Sequence, residues 1–309
     1  MHTPLYTSDP RDSEDVRIFD IGVFSKCDGP GVRTVVYFQG CNADCDWCHS
    51  PHSRLHRSPL LYNVNACIGC GRCGSCENAV HSFTPTHRVD RSLCKRCGMC
   101  IERCPRSTHN VKGSALHLAT TTMSVASLFE QIAPYTRLSG ASGGVTLSGG
   151  EALLQRSAAL ELLSLCKQRG IHTAVETSGL LPTETYRAAA PWVDLWLFGM
   201  RVITGENHPR HDTHIDAVLS ELSSVSARIL PRIPLIPTFF DREDVIESLL
   251  RLLNRYNLEE VCLNPWNRDY DLFYKQSGIP LRMPPPTDDA IESCRKRFAS
   301  LNLNLYENN

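Results

Sequence analysis

From about residue 120 onward the chain alternates short apolar runs with amphipathic stretches. Val145-Thr146-Leu147 ends at Ser148-Gly149-Gly150-Glu151, and a helical stretch follows from Ala158 to Arg169. His172–Glu176 reads as the next strand and ends in Thr177-Ser178-Gly179. Leu195–Phe198, Arg228–Ile236 and Glu260–Leu263 read as further strands, with helices near 212–224 and over Asp244–Asn254 between them. A last helix is predicted over Asp288–Ala299, behind the rigid run Pro284-Pro285-Pro286, whose place also suits partner docking. Strands that alternate with helices and are buried on both faces imply a parallel sheet. The number of units predicts an α/β fold, a partial (β/α)6 TIM-type barrel, whose active site is built by loops at the strands' C-terminal ends.

Two segments depart from this rhythm. Residues 1–17 form a polar tail without the apolar centre of a secretory signal. Residues 60–118 are dense in cysteine and glycine and read as an insert. The barrel is then expected from residues 18–59 and 119–309. No apolar stretch approaches the length of a membrane span. The formal charge of -1 over 309 residues gives no reason to expect nucleic acid as a partner.

The cysteine count changes the picture more than the charge does. Of 15 cysteines, most fall in three tight clusters. A disulfide framework has no need of cysteines two residues apart so often, so the pattern points to metal in a reducing compartment, the cytoplasm. Cys27, Cys166, Cys262 and Cys294 lie outside the clusters and read as packed fillers. His208, His211 and His214 read as a solvated helix start rather than a metal site, because i, i+4 pairs are the better ligand geometry.

The first cluster is Cys41, Cys45 and Cys48, at C-x3-C-x2-C spacing just after a short apolar run. Three thiolates can hold three irons of a 4Fe–4S cube and leave the fourth open to a substrate or cofactor. The second is Cys67, Cys70, Cys73 and Cys76, and the third is Cys94, Cys97, Cys100 and Cys104 followed by Pro105. The third matches the bacterial ferredoxin run C-x2-C-x2-C-x3-C-P, in which the fourth cysteine ligates the other cube. The expected sharing is Cys67, Cys70, Cys73 with Cys104, and Cys94, Cys97, Cys100 with Cys76. Zinc is the competing reading, since C-x2-C pairs also bind it. Cys76 is the least regular ligand, for no Pro follows it. As a ferredoxin-like module with two 4Fe–4S clusters, the insert would pass electrons inward to the open one.

With these residues in view, the chain resembles the radical S-adenosylmethionine (SAM) enzymes, and more narrowly the glycyl radical enzyme activating enzymes with a ferredoxin-like insert. The resemblance is carried by Asp28-Gly-Pro-Gly-Val-Arg33-Thr34, Gly40-Cys41 to Cys48-His49, Gly144 to Glu151, Gly170 to Gly179 and Arg232-Ile-Pro-Leu-Ile-Pro237, and spans about residues 18 to 299. It implies three 4Fe–4S clusters, SAM, an external reductant (flavodoxin or ferredoxin) and a partner glycyl radical enzyme. It implies reductive cleavage of SAM to methionine and a 5′-deoxyadenosyl radical, which takes a glycine Cα hydrogen from the partner. By position, Cys41, Cys45 and Cys48 hold the open cluster and act in catalysis with Arg201. Trp47 and His49 would lie along the adenine, and Gly149, Gly150 and Glu151 would meet the methionine ammonium. Glu176, Thr177, Gly199, Arg201 and Asn267 match the family's carboxylate-side positions.

The chain departs from the family where Gly199-Met200-Arg201 replaces the usual Asp-x-Lys. Other departures are Asp212-Thr213 and Asp216 for a Thr-Gly pair and an asparagine, Trp266-Asn267 for Tyr-His, Ser50-Pro51 for Asn-Pro, and Ala152 for proline. The cluster end is kept while the substrate end has drifted. Two other readings therefore stand beside activation of a partner: action on a small molecule or on SAM itself, and an iron–sulfur electron carrier without SAM chemistry.

Overall fold

The computed structural model of the protein describes residues 15–55, 58–107, 113–138, 140, 143–201, 209–267, 269, 271–301 and 303–306. Along the chain come β1 (Asp15–Ser25), β2 (Arg33–Phe38), β3 (Leu60–Tyr62), β4 (His81–Ser82), β5 (Arg88–Val89), α1 (Met99–Glu102), β6 (Leu116–Leu118), β7 (Thr121–Ser124), α2 (Val125–Leu138) and β8 (Gly144–Gly149). Then follow α3 (Arg156–Gln168), β9 (His172–Thr177), α4 (Thr183–Ala189), β10 (Leu195–Gly199), α5 (Pro209–Ser224), β11 (Ile229–Pro234), α6 (Glu243–Arg255), β12 (Glu260–Asn264), α7 (Asp271–Ser277), α8 (Asp288–Ala299) and β13 (Asn304–Leu305).

One mixed sheet runs in the order β13-β12-β11-β10-β9-β8-β2-β1-β7. Strands β2, β8, β9, β10, β11 and β12 are parallel neighbours in that order. Each new strand joins the same edge after a helical crossover, which is the winding of a barrel rather than of a doubly wound sheet. Two antiparallel strands, β1 and β7, extend the sheet beyond β2. The first of these corrects the expected tail: Asp15–Arg17 are strand, with Val16 buried and Arg17 accepting from Gln39 N at 2.9 Å. Residues 1–14 lie outside the described residues, as does His208.

Period-two alternation sorts the strand residues into two faces. Val36, Phe38, Val145, Leu147, Val175, Trp196, Phe198, Ile233 and Val261 pack with the helices in the main core. The α6 face that meets them is amphipathic, with Val245, Ile246, Leu249, Leu252 and Leu253 buried. On the opposite face, Ala174, Leu195, Leu197, Leu230 and Cys262 form a small apolar floor. Continuing along that face brings Ser148, Glu176, Gly199, Arg232 and Asn264 to the strands' C-terminal ends. The polar residues are thus gathered at one end by strand direction alone.

Residues 60–118 have their own small core of Leu60, Cys73, Val80, Cys100 and Leu116. Antiparallel pairing of β3 with β6 closes the base, and β4 with β5 makes a hairpin. Arg91 ties this unit to the barrel's end, donating to Leu60 O at 2.9 Å and to Gln276 O at 2.5 Å. Gly278 leaves room for that guanidinium, since a Cβ there would stand 2.5 Å from Arg91 Nη1.

Candidate active site

The Cys41–Cys48 loop leaves β2 under tight backbone control. Gly40 N donates to Ser53 O at 2.7 Å, and Gln39 Nε2 holds His52 O and Leu55 O at 2.8 and 2.6 Å. Arg282 and Arg54 grip Asp44 in the middle of the loop at 2.7 and 2.6 Å. Burial pushes Cys41 up to about 12, helped by the Glu151 charge, and Cys45 to about 11; it raises Cys48 too. Three thiols crowded where ionisation is costly suit a cation that binds thiolate sulfur and releases the protons. The donor set fits a three-cysteine iron–sulfur cube.

The end of β8 lies against this loop. Gly150 N donates to Phe38 O at 2.9 Å, and Glu151 N to Gly40 O at 2.8 Å. A Cβ on Gly149 would come within 2.4 Å of Phe38 N, and one on Gly150 within 2.0 Å of Gly40 O. The paired glycines therefore let two backbones touch. Glu151 is wholly buried and accepts from Thr177 Oγ1 at 2.8 Å and from Ser178 N and Oγ at 2.9 and 2.8 Å. Burial raises its carboxyl against these bonds.

Glu176, at the end of β9, accepts from Ser148 Oγ at 2.8 Å and forms an ion pair with Arg201. Burial works against the Glu176 charge, but Arg201, Arg232 and Ser148 outweigh it and hold the carboxyl down at about 2. The Glu176 charge, the nearest cause after burial, raises Arg201 in turn. His49 opens to the same space yet is ringed by protein, and that burial holds its imidazole down. It feels both Glu176 and Arg201. Asp28 also reaches the group: burial and the Glu176 charge raise it, while Arg232 draws it down. Arg232 is buried and donates twice to Asn264 Oδ1, at 3.0 and 2.8 Å. Trp47 packs against Phe239 in a tilted contact and against Phe240 edge-on, with ring centroids 4.8 and 5.9 Å away.

In the insert, Cys73 is surrounded by Cys104, Cys67 and Cys70, and Cys100 by Cys94, Cys76, Cys73 and Cys97. Burial pushes both Cys73 and Cys100 up to about 11.

The family described as a 4Fe-4S single cluster domain matches residues 27–195. The choline trimethylamine-lyase activating enzyme of Oleidesulfovibrio alaskensis is 33% identical, over 91% of this chain and 95% of that protein. The isethionate sulfite-lyase activating enzyme of Desulfovibrio desulfuricans is 34% identical over 83% and 85%. The 4-hydroxyphenylacetate decarboxylase activating enzyme of Clostridioides difficile is 31% identical over 84% and 85%. The chain belongs to the radical SAM glycyl radical enzyme activating enzymes. It binds a 4Fe–4S cluster and SAM.

In this activating enzyme the structure gathers most of the sequence-read residues at one end of the sheet: the three cysteines, His49, Gly149, Gly150, Glu151, Glu176, Thr177, Gly199 and Arg201. Asn267 is exposed, and its Oδ1 accepts from Asp269 N at 2.9 Å, so it shapes its own loop. Trp47 spends part of its surface on Phe239 and Phe240. Cys27, read as packed, is exposed, whereas Cys166, Cys262 and Cys294 are buried as expected. His211 and Asp212 have no described side chains; His214 Nε2 lies 2.9 Å from Leu181 O. Sequence reasoning gave Asp28, Arg232, Asn264, Ser148 and Phe239 no role. Strand-end position was the available signal for Ser148, Arg232 and Asn264.

No helix among the described residues is long and apolar enough to cross a membrane.

Proposed function

We propose that the Cys41, Cys45 and Cys48 thiolates hold an open-cornered 4Fe–4S cluster, and that SAM is gripped between it and the Glu176–Arg201 pair. The enzyme cleaves SAM reductively to methionine and a 5′-deoxyadenosyl radical, which takes a glycine Cα hydrogen from a partner glycyl radical enzyme. The cluster, when bound, supplies the single electron for that cleavage.

The protein's own share is orientation and charge. Arg201 carries five N–H donors in a fork, and Glu176 engages one, leaving others for the methionine carboxylate. A carboxylate offers about four acceptor sites; Glu151 uses three on Thr177 and Ser178. The remaining one is available to the methionine ammonium beside Gly149 and Gly150. Trp47 and His49 flank the adenine in this reading, and Asn267 bounds the opening from the last loop. Arg232 and Ser148 help Arg201 hold the charge of Glu176, so that the site stays ionised when water is excluded.

For residues 60–118 we infer a ferredoxin-like module with two further 4Fe–4S clusters, one on Cys67, Cys70, Cys73 and Cys104 and the other on Cys94, Cys97, Cys100 and Cys76. An external flavodoxin or ferredoxin would feed them. Crowding of the two cysteine groups around Cys73 and Cys100 supports these sets.

The observation that carries the reading is the Glu176–Arg201 pair lying beside three half-buried thiols. Anaerobically reconstituted enzyme with SAM, reductant and a glycyl radical enzyme tests it. Equal amounts of 5′-deoxyadenosine and of a glycine-centred paramagnetic signal are expected. Formation of 5′-deoxyadenosine with no signal in the partner would instead favour a small-molecule substrate.

A further inference from the structure

One side chain at the insert's cysteines belongs to neither ligand set. His87 sits on the β4–β5 hairpin with its Nδ1 3.4 Å from Cys67 Sγ and its Nε2 3.7 Å from Cys73 Sγ. Its ring is clamped between Phe83 and Tyr62, with centroids 4.7 and 4.5 Å away. His81 Nδ1 lies 2.9 Å from His87 Nε2.

A thiolate that ligates iron can only accept, and both His87 nitrogens face one. The N–H is assigned to Nδ1, which has the shorter contact, to Cys67, because Nε2 has His81 Nδ1 as a hydrogen-bond partner at 2.9 Å. Nε2 of the neutral ring is then an acceptor, and His81 Nδ1–H supplies its hydrogen bond. The result is a one-way chain from His81 through His87 to Cys67. Two more donors converge on the same sulfur: Gly69 N at 3.4 Å and the Tyr62 hydroxyl. His81 also lines the small cavity between Cys76, Cys94, Cys97 and Cys100, but among the described residues no histidine or tyrosine hydrogen-bonds to any of those four sulfurs.

The three donor atoms of Cys73, His81 and His87 lie within 4.8 Å of one another, close enough for a separate metal ion. Cys73 is already ringed by Cys67, Cys70 and Cys104. A separate ion there would take a ligand from the cube.

We propose that His87 donates a hydrogen bond to the cube on Cys67, Cys70, Cys73 and Cys104, and that this makes it the more easily reduced of the insert's two cubes. The physical reason is that reduction adds one negative charge to the cube, and a donor on its thiolate stabilises the more negative state. One electron enters from the external one-electron carrier; no bond forms or breaks, and His87 keeps its proton. His81 is a positioning residue in this arrangement, and Tyr62 is a second donor on the Cys67 sulfur. The proposal rests on the reading that the insert holds two cubes.

The test is a redox titration of the full-length, anaerobically reconstituted enzyme followed by electron paramagnetic resonance, with iron and zinc measured on the same samples. His87→Leu is expected to keep its iron and to lower the reduced-to-oxidised ratio of one insert cube about tenfold at a fixed potential. That is a shift of about 59 mV downward for a one-electron couple. The other insert cube is expected to stay in place. His87→Asn keeps a side-chain N–H near the Nδ1 position and is expected to recover most of the shift. Tyr62→Phe is expected to move the same cube in the same direction. Unchanged potentials in His87→Leu overturn the proposal. So does loss of one cube's iron from both His87 variants with no shift in Tyr62→Phe, which would make His87 a ligand. Zinc bound by the wild-type protein and lost from the His87 variants overturns it as well. Failure of the two-cube reading looks different: the wild-type protein would carry about four irons rather than about twelve.

Discussion

Arg201 folds back over Gly199. A Cβ at position 199 would stand 2.6 Å from Arg201 Nε and 2.9 Å from Nη2. The guanidinium occupies the space that a side chain at 199 would fill, and from there it pairs with Glu176. The two departures from the family's Asp-x-Lys are therefore one change. Loss of the carboxylate makes the room, and the longer, forked cation uses it.

This coupling predicts non-additive substitutions. Gly199→Ala should push Arg201 off Glu176 and weaken SAM binding by about 1.5–3 kcal/mol, the usual value of a hydrogen bond to a charged group. Arg201→Lys alone should lose a similar amount. The double variant should lose clearly less than the sum, because lysine does not need the space. Isothermal titration with SAM reads all three, and strict additivity would refute the coupling.

Glu176 predicts a pH dependence of stability. Its carboxyl is held at about 2, below the ordinary 4.5. A depressed carboxyl contributes stability that is full above the unfolded value and is lost as pH falls from about 4.5 towards 2. The contribution is at most on the order of 3 kcal/mol. Urea unfolding of cluster-free protein across that range should show a shallower acid slope in Glu176→Gln than in wild type.

Gly150 predicts a local failure. Gly150→Ala places a methyl 2.0 Å from Gly40 O, so β8 must move away from the cysteine loop. The protein should lose about a third of its iron, the share of the barrel cluster, and should lose SAM cleavage with it. Iron analysis with the product assay checks this. Full iron content would show that the loop tolerates the displacement.

Cys97 predicts the opposite pattern. Cys97→Ala should slow reduction of the barrel cluster by an external carrier while SAM affinity stays within twofold, since Cys97 groups with Cys100 at the insert. Stopped-flow reduction and SAM titration separate the two effects. A loss of SAM affinity equal to that of a Cys45 variant would contradict the division of labour.

Much of this was legible in the sequence, and the remainder has identifiable causes. The strand Leu195–Gly199 is buried throughout, so a continuous apolar run announces it. Cysteine spacing announces the three ligand groups because coordination geometry restricts spacing. The β1 strand is harder to see: Val16 and Ile18 are buried but its middle is half-exposed, and the alternation is weak. Helix α2 is masked by Pro134 in its interior. Asp28, Glu176 and Arg232 meet only because the parallel winding returns each strand in the same direction. No local pattern records that three charges so far apart in the chain share one pocket. Asn267 matched by position, yet its side chain closes its own turn, a choice made by loop geometry.

The most direct test of the central claim is the electron paramagnetic resonance spectrum of reduced Cys97→Ala and wild-type enzyme with and without SAM. SAM bound to an open iron of the Cys41, Cys45 and Cys48 cluster should change that cluster's spectrum in both proteins and leave the insert's signal as it was. A reduced spectrum that ignores saturating SAM would contradict the account.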